Sequence, residues 1–338
     1  MLIILPVTAS RAAWCAITAA IIYMVFNKYK VRKYFLFHLN TPVKKYAAVA
    51  GLALVLAIVC AGTFYLKKKS ATGRLFIWQI TCRIIKNNPL TGIGFDRFKT
   101  NYMNYQAAYF TSHPNDAAIE TADDVQFAFN EPLQFIAENG WPVTIISGLF
   151  LIGVYRVKSK EEGLLIIAKA GLLATLVFGL FSYPSQILAI KINCVLYLAI
   201  IASIAQKNKQ VVLNNRANIL FKLAAGLGLF ISVAIFFKVS NGINKVYHAF
   251  KNWDIAYSIY QAGSYKPSLD HYELAYPHLK TNGEFLMQYG KALLMAAEPQ
   301  RALPVLNQAT PYFSSSIIEV AKGDGYKAIG NYKRLHLW

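Results

Sequence analysis

Six stretches of the chain, near residues 11–27, 46–66, 141–155, 163–182, 186–205 and 219–239, are long apolar runs almost free of charge. A bilayer core about 30 Å thick needs roughly 20 apolar residues per helix, so these runs predict an all-α polytopic membrane domain. The run at 141–155 is short if it begins at Trp141. Its helix therefore starts earlier, within LQFIAENG, or tilts with Trp141 anchored at the interface.

Composition agrees, because 56% hydrophobic and only 15% charged residues is too apolar for an ordinary soluble domain. The net charge of +19 would suggest nucleic acid in a soluble protein. Here the cations gather in short connections instead, NKYKVRKYFLFHLNTPVKK, RVKSKEE and QKNKQVVLNNR, and these alternate along the chain as the positive-inside rule expects. Nucleic acid is thereby excluded as a partner. The three connections are assigned to the cytoplasm. The loop at 67–140, the short turn from Ser182 to Ser185 and everything after Val239 then fall on the opposite side, the periplasm if the cell is bacterial. Lys67, Lys68 and Lys69 argue the other way, but they open a long loop, where the charge rule has little force.

The first residues, MLIILPVTASRAAW, have their apolar stub before the basic residue, the reverse of a signal peptide. The expectation is that residues 1–240 either open with a short amino-terminal helix or start inside one, as an amino-terminally truncated membrane domain. Cys15, Cys60, Cys82 and Cys194 have no paired spacing, so neither a disulfide framework nor a metal site follows.

From about residue 241 to 338 the text turns polar and aromatic, with a period of about 34 residues, that of tetratricopeptide helix pairs. Units aligned at Ala249, Gly283 and Ser316 superpose Ala256, Gly290 and Gly323, where small residues let helices approach closely. Ile259, Leu293 and Tyr326 share the next position, and Gly263, Ala297 and Gly330 the turn. Ala275 with Ala309, and Tyr265 with Tyr332, coincide as well. Such an array binds a peptide or protein partner on its concave face and supplies no chemistry.

Chemistry is sought in the 67–140 loop, since functional residues favour loops on rigid scaffolds. Arg74 and Arg83 lie on a helical pattern that Asn88-Pro89 and a glycine turn end. A planar guanidinium suits a diphosphate, or else caps a helix or anchors it at the interface. His113 is either a general base or a solvated turn. Asp123, Asp124, Glu131 and Glu138 are acid/base candidates or helix caps. Lys191, inside a span, contacts phosphate or snorkels to the interface, and Lys169 near the other end of its span snorkels.

Three pieces of the sequence, in order, resemble the O-antigen ligase and polymerase superfamily. TASRAAW at 8–14 is similar to its "SR" element, and RLFIWQITCRIIKNNPLTGIGFDRF at 74–98 to its Arg-to-Trp helix with "PLTGIGF". FNEPLQFIAENGWP at 129–142 resembles its "HNxxLQxxxExG" element. The resemblance runs from Ser10 to about Ala205 and implies a metal-independent, cofactor-free inverting glycan transferase of the bacterial inner membrane. Its donor would be a polyprenyl-diphosphate-linked glycan used in lipopolysaccharide or other glycoconjugate assembly. The family's diphosphate-binding arginines match Arg11 and Arg74, with Arg83 as a further position, while Lys191 is a donor-contact candidate from its place inside a span. Phe129 stands where familiar members have histidine, so a histidine-dependent step does not carry over, and Glu131 or His113 is left to activate the acceptor. The alternative is a non-catalytic membrane-anchored repeat scaffold, or an inactive fragment of such an enzyme.

Overall fold

The computed structural model describes residues 10–29, 68–159, 162–207 and 215–331. Every longer regular element among them is an α-helix, and no strand occurs. The expected span at 46–66, Cys60, Tyr332 and the side chain of Arg11 lie outside the described residues. Contacts divide the chain into two compact units, one of residues up to Phe98 with Tyr105–Gln210, the other of Lys99–Asn104 with Val211 onward.

The first unit holds α1 (Arg11–Lys28), α2 (Lys68–Asn87), most of α3 (Phe98–Ser112), α4 (Glu131–Arg156), α5 (Glu162–Gly179) and α6 (Leu188–Lys207). Helices α4, α5 and α6 are long and apolar enough to cross a membrane, as is Gly226–Gln261 further on; α1 is shorter. Ser10 caps α1 by accepting from the Ala13 N–H at 3.3 Å, which leaves Arg11 as the first helical residue. Ile145, Ile146, Leu149 and Phe150 of α4 all face outward. Such a run is unfavourable in water and favourable against lipid, so the chain is a multi-pass membrane protein.

Inside the unit α1 packs on α5 and α5 on α6. Leu165 and Ala168 meet Ile201 and Ile204 in a small buried core. At Gly171 the helices come so close that a Cβ would lie 2.4 Å from the Tyr197 ring, so only glycine fits.

Helix α4 starts at Glu131, ahead of the apolar run, the first of the two alternatives the short run left open. It is not continuous: Gly140 has φ 76° and ψ 173°, which breaks the helix between the loop-facing turns and the span. Lys169 does not snorkel. It is 5% exposed, and its Nζ donates to the Tyr155 and Val157 carbonyls at 2.8 and 2.5 Å. Burial is tolerated because the ammonium covers carbonyls left open at the end of α4.

In the second unit α7 (Asn215–Gln261) is one helix of 47 residues. It carries on through position 240, where the sequence changes character, without a turn. From Gly226 to His248 every described side chain is exposed; burial begins at Ala249, where the first repeat unit was aligned. Then follow α8 (Tyr265–Leu279), α9 (Gly283–Met295), α10 (Pro299–Ala309) and α11 (Ser316–Ala328).

The repeat register holds in detail. Gly263, Ala297 and Gly330 have φ 81°, 64° and 73°, the same left-handed turn three times, though the middle one carries a Cβ. Ala256, Ala275 and Ala309 are fully buried. A Cβ on Gly290 would sit 2.5 Å from Leu306, the close approach the alignment requires. Gly323 departs from that pattern, with nothing within 4 Å of its absent Cβ. The segment that would pack there by register begins beyond Asn331, outside the described residues.

Candidate functional site

The loop between α2 and α3 is fixed to the break in α4 by backbone hydrogen bonds. Residues 88–96, the Asn-Pro-Leu-Thr-Gly-Ile-Gly-Phe-Asp turn, lie along Ala137–Trp141. The Ile93 N–H donates to Ala137 O, the Gly94 N–H to Glu138 O, and the Trp141 N–H to Pro89 O, each at 2.9 Å. The third bond satisfies a donor freed by the break. Two glycines make the approach possible. A Cβ on Gly92 would lie 2.3 Å from backbone atoms of Glu138, and one on Gly140 would lie 2.1 Å from Leu90 O.

Glu138, from sequence an acid/base candidate or a helix cap, is part of this joint. It is 6% exposed and accepts from the N–H groups of Asp96 and Phe98 at 3.2 and 3.3 Å and from Gln134 Nε2 at 3.1 Å. Helix α3 has no side-chain cap of its own, so this carboxylate, 40 residues away in sequence, caps its N-terminus.

The joint sets the entrance to α4. Asn130 caps the helix, its Oδ1 accepting from the Leu133 N–H at 3.0 Å. Phe129, just before it, has φ 52°, a left-handed conformation uncommon for a bulky side chain. The Trp78 Nε1–H donates to Ala128 O at 3.0 Å, and Gln134 Oε1 accepts from the Ala128 N–H at 3.1 Å, which together pin this backbone.

Around Phe129 the candidates divide into two groups. Arg74 and Glu131 both grip the turn between α5 and α6. The Arg74 Nη1 donates to Phe181 O at 2.9 Å, while the Ser185 N–H donates to Glu131 Oε1 in a short bond. The Arg74 guanidinium lies over the Phe129 ring, 5.1 Å from its centroid. Tyr183 completes the cluster, stacked on Phe127 at 4.9 Å and edge-on to Phe129 at 5.5 Å. Gly179 leaves room for the acid, since a Cβ there would sit 2.9 Å from Glu131 Oε2.

Arg83 and His113 form the second group. Nine residues separate Arg83 from Arg74, and at about 100° per residue that puts them on opposite sides of α2. Arg83 lies 4.5 Å over the Tyr109 ring, and His113 stacks on Tyr109 at 4.5 Å with planes 8° apart. His113 caps α3, its backbone N–H donating to Tyr109 O and Phe110 O. Its Nδ1 lies 2.9 Å from Ser112 Oγ. The Tyr109 hydroxyl donates a short bond to Asp116, which holds the Asp116 carboxyl below its usual range and raises the phenol. No described bond joins this group to Glu131.

Lys191 is exposed on the fourth residue of α6. Arg11 is placed only as a backbone position at the start of α1. Sequence reasoning missed Phe181, Tyr183 and Ser185, the turn that Arg74 and Glu131 share. The signal was a Ser-Tyr-Pro-Ser turn of four residues between two apolar runs, too short and common to stand out.

Residues 1–148 match the family model described as O-Antigen ligase. This stretch is an O-antigen ligase family domain. It takes in α1, α2, α3 and the start of α4, and with them the joint and both arginine groups. The match stops short of the 149–205 part of the resemblance, so the Phe181–Ser185 turn lies beyond it. Residues 250–310 match the C-terminal tetratricopeptide repeats of a YpiA-like family, in the α7–α10 array. No curated protein and no solved structure matches the chain. The family supports a membrane glycosyltransferase-like role in polysaccharide assembly.

Proposed function

We propose that the O-antigen ligase domain transfers or polymerises glycan from a polyprenyl-diphosphate carrier on the periplasmic face of the bacterial inner membrane, with Arg74 and Glu131 at the reacting centre. The acceptor hydroxyl attacks the anomeric carbon as the bond from that carbon to the diphosphate oxygen breaks. Glu131 takes the hydroxyl proton, and the polyprenyl diphosphate leaves with the bonding electrons. Arg74 offsets the charge that develops on it, an effect strongest in a water-poor site.

The observation that carries this reading is the shared turn: a cation suited to phosphate and an acid suited to proton transfer are both bonded to Phe181–Ser185. The guanidinium is a planar fork of five N–H donors, a shape matched to phosphate oxygens. Phe127, Phe129 and Tyr183 supply aromatic faces suited to a sugar ring. His113 serves this site less well, because it belongs to the group on the other side of α2. Arg11 and Lys191 remain further donor-contact candidates.

The test is transfer by the full-length gene product from a labelled polyprenyl-diphosphate glycan. Arg74→Glu abolishes transfer while the protein still inserts; normal transfer by that variant refutes the site. One observation favours the scaffold reading instead, since both charged groups already hold the chain together at this turn. On that reading Arg74→Glu lowers stability, and the parent protein transfers nothing.

A further inference from the structure

The repeat array departs from its own register at one place. Counted from Ala249, the first unit carries Phe250, Trp253, Asp254 and Tyr257 at positions where the third, counted from Ser316, has Ile317, Val320, Ala321 and Asp324. The spacing of three, four and seven residues puts all four on one face of α7. Packing of the array does not call for three aromatic rings there, because the third unit forms the same helix with aliphatic residues. Phe250 and Tyr257 are exposed, while Trp253 is anchored edge-to-face on the buried Phe285 at 5.6 Å.

These residues and Gln288 of α9 line a cleft of about 270 Å³, just below the roughly 300 Å³ at which small-ligand sites usually begin. That is room for one ring rather than for a run of chain. Its polar groups are few and of fixed sense. The Trp253 Nε1–H donates to Gln288 Oε1 at 2.8 Å, and an indole nitrogen can only donate. The Gln288 amide is thereby oriented, and its NH2 group offers two donors to the cleft. Asp254, exposed beside it, offers only acceptors. Among the described residues nothing accepts from that NH2 and nothing bonds to the Asp254 carboxylate.

A sugar hydroxyl both donates and accepts, so two neighbouring hydroxyls match an amide N–H and a carboxylate oxygen, while the C–H face of the ring lies on an aromatic face. From Ala249 to Asn331 the array has as many acidic as basic residues, against +19 for the whole chain. Its field therefore selects neither an anion nor a cation.

We infer that this cleft binds a neutral sugar ring of a glycan, with Asp254 and Gln288 bonding adjacent hydroxyls and Phe250 and Tyr257 carrying the apolar face. A glycan is chosen over a peptide because the same chain carries an O-antigen ligase family domain. To that extent the inference rests on the glycan reading above, but binding here requires no transfer.

The experiment is saturation-transfer difference NMR on the full chain in a detergent without a sugar headgroup. The probes are neutral trisaccharides of glucose, galactose, mannose and N-acetylglucosamine, with a pool of random heptapeptides alongside. Gln288→Glu keeps an acceptor for Trp253 and loses the N–H donors, Tyr257→Ala removes one ring, and Asp324→Asn is the control at the matching position of the third unit. At least one trisaccharide binds the parent, with a Kd that weakens roughly tenfold in Gln288→Glu and in Tyr257→Ala. Both variants melt with the parent, and the control binds as the parent does. No binding of any sugar, binding of the peptide pool alone, or an equal Kd in parent and Gln288→Glu overturns the inference. Arg74→Glu separates this cleft from the reacting centre. Sugar binding unchanged in that variant upholds the inference even if the parent transfers nothing, and binding lost in it places the sugar at the other site and overturns the inference.

Discussion

Arg74 and Arg83 sit on one helix, carry the same charge and each lie over an aromatic ring, yet their surroundings differ. Arg74 is joined through Phe181–Ser185 to an acid that begins another helix. Arg83 faces Tyr109, which also meets Phe76 of α2, and His113 and Asp116 at the end of α3 and the turn after it. The first arrangement draws on residues far apart in sequence and leaves a carboxylate and a guanidinium on one short turn. The second ties down the local end of a helix. Residue type alone does not distinguish the two arginines; what each is bonded to does, and the proposed reacting site follows from that difference.

The largest expected contrast is between the two arginines. Arg74→Glu removes transfer, while Arg83→Glu leaves it within a few-fold of the parent; comparable losses would erase the distinction. Next come the two candidate bases. Loss of a general base typically costs about 10²- to 10⁴-fold, so Glu131→Gln should fall in that range and His113→Gln should not. A loss confined to the histidine variant would move the chemistry to the second group.

The joint beneath the first group gives a stability contrast with the repeat array. Gly140→Ala forces a Cβ against Leu90 O in a left-handed conformation, and should lower stability by about 3 kcal/mol or more. Gly323→Ala meets open space and should raise it by roughly 0.5–1 kcal/mol through helix propensity. Thermal melts of the two variants in one detergent check both signs.

The smallest effect concerns the second group. The Asp116 carboxyl is held below its ordinary value by the Tyr109 hydroxyl. Its contribution to loop order is therefore complete above the ordinary carboxylate range and is lost as pH falls through the lowered value. Hydrogen exchange of residues 113–121 should quicken over that acid interval in the parent and change little with pH in Tyr109→Phe. Transfer measured at neutral pH should be the same in both.

Much of this fold was legible before any coordinates. Run lengths gave the spans at α5 and α6 and the shorter apolar helix α1 within a few residues, and the repeat period placed three left-handed turns at Gly263, Ala297 and Gly330. Both signals are local or periodic. The Gly92–Gly140 interlock was not legible, because it depends on one backbone segment lying against another through bonds that leave no side-chain pattern. Glu138 could not be decided for the same reason: an acid in a polar stretch looks alike whether it moves protons or caps a helix 40 residues away. The division between Arg74 and Arg83 was within reach, since nine residues is two and a half helical turns. Their shared suitability for phosphate concealed it.

The central claim, that Arg74 and Glu131 act as one site, is tested most directly by a double-mutant cycle on initial transfer rate. The variants are Arg74→Gln, Glu131→Gln and the pair, in the full-length protein with a labelled polyprenyl-diphosphate glycan. Residues that act as a unit are non-additive, so the double variant should be about as slow as the slower single one. Rates that fall by the product of the two single losses would mean that the two residues act independently, and would contradict the account.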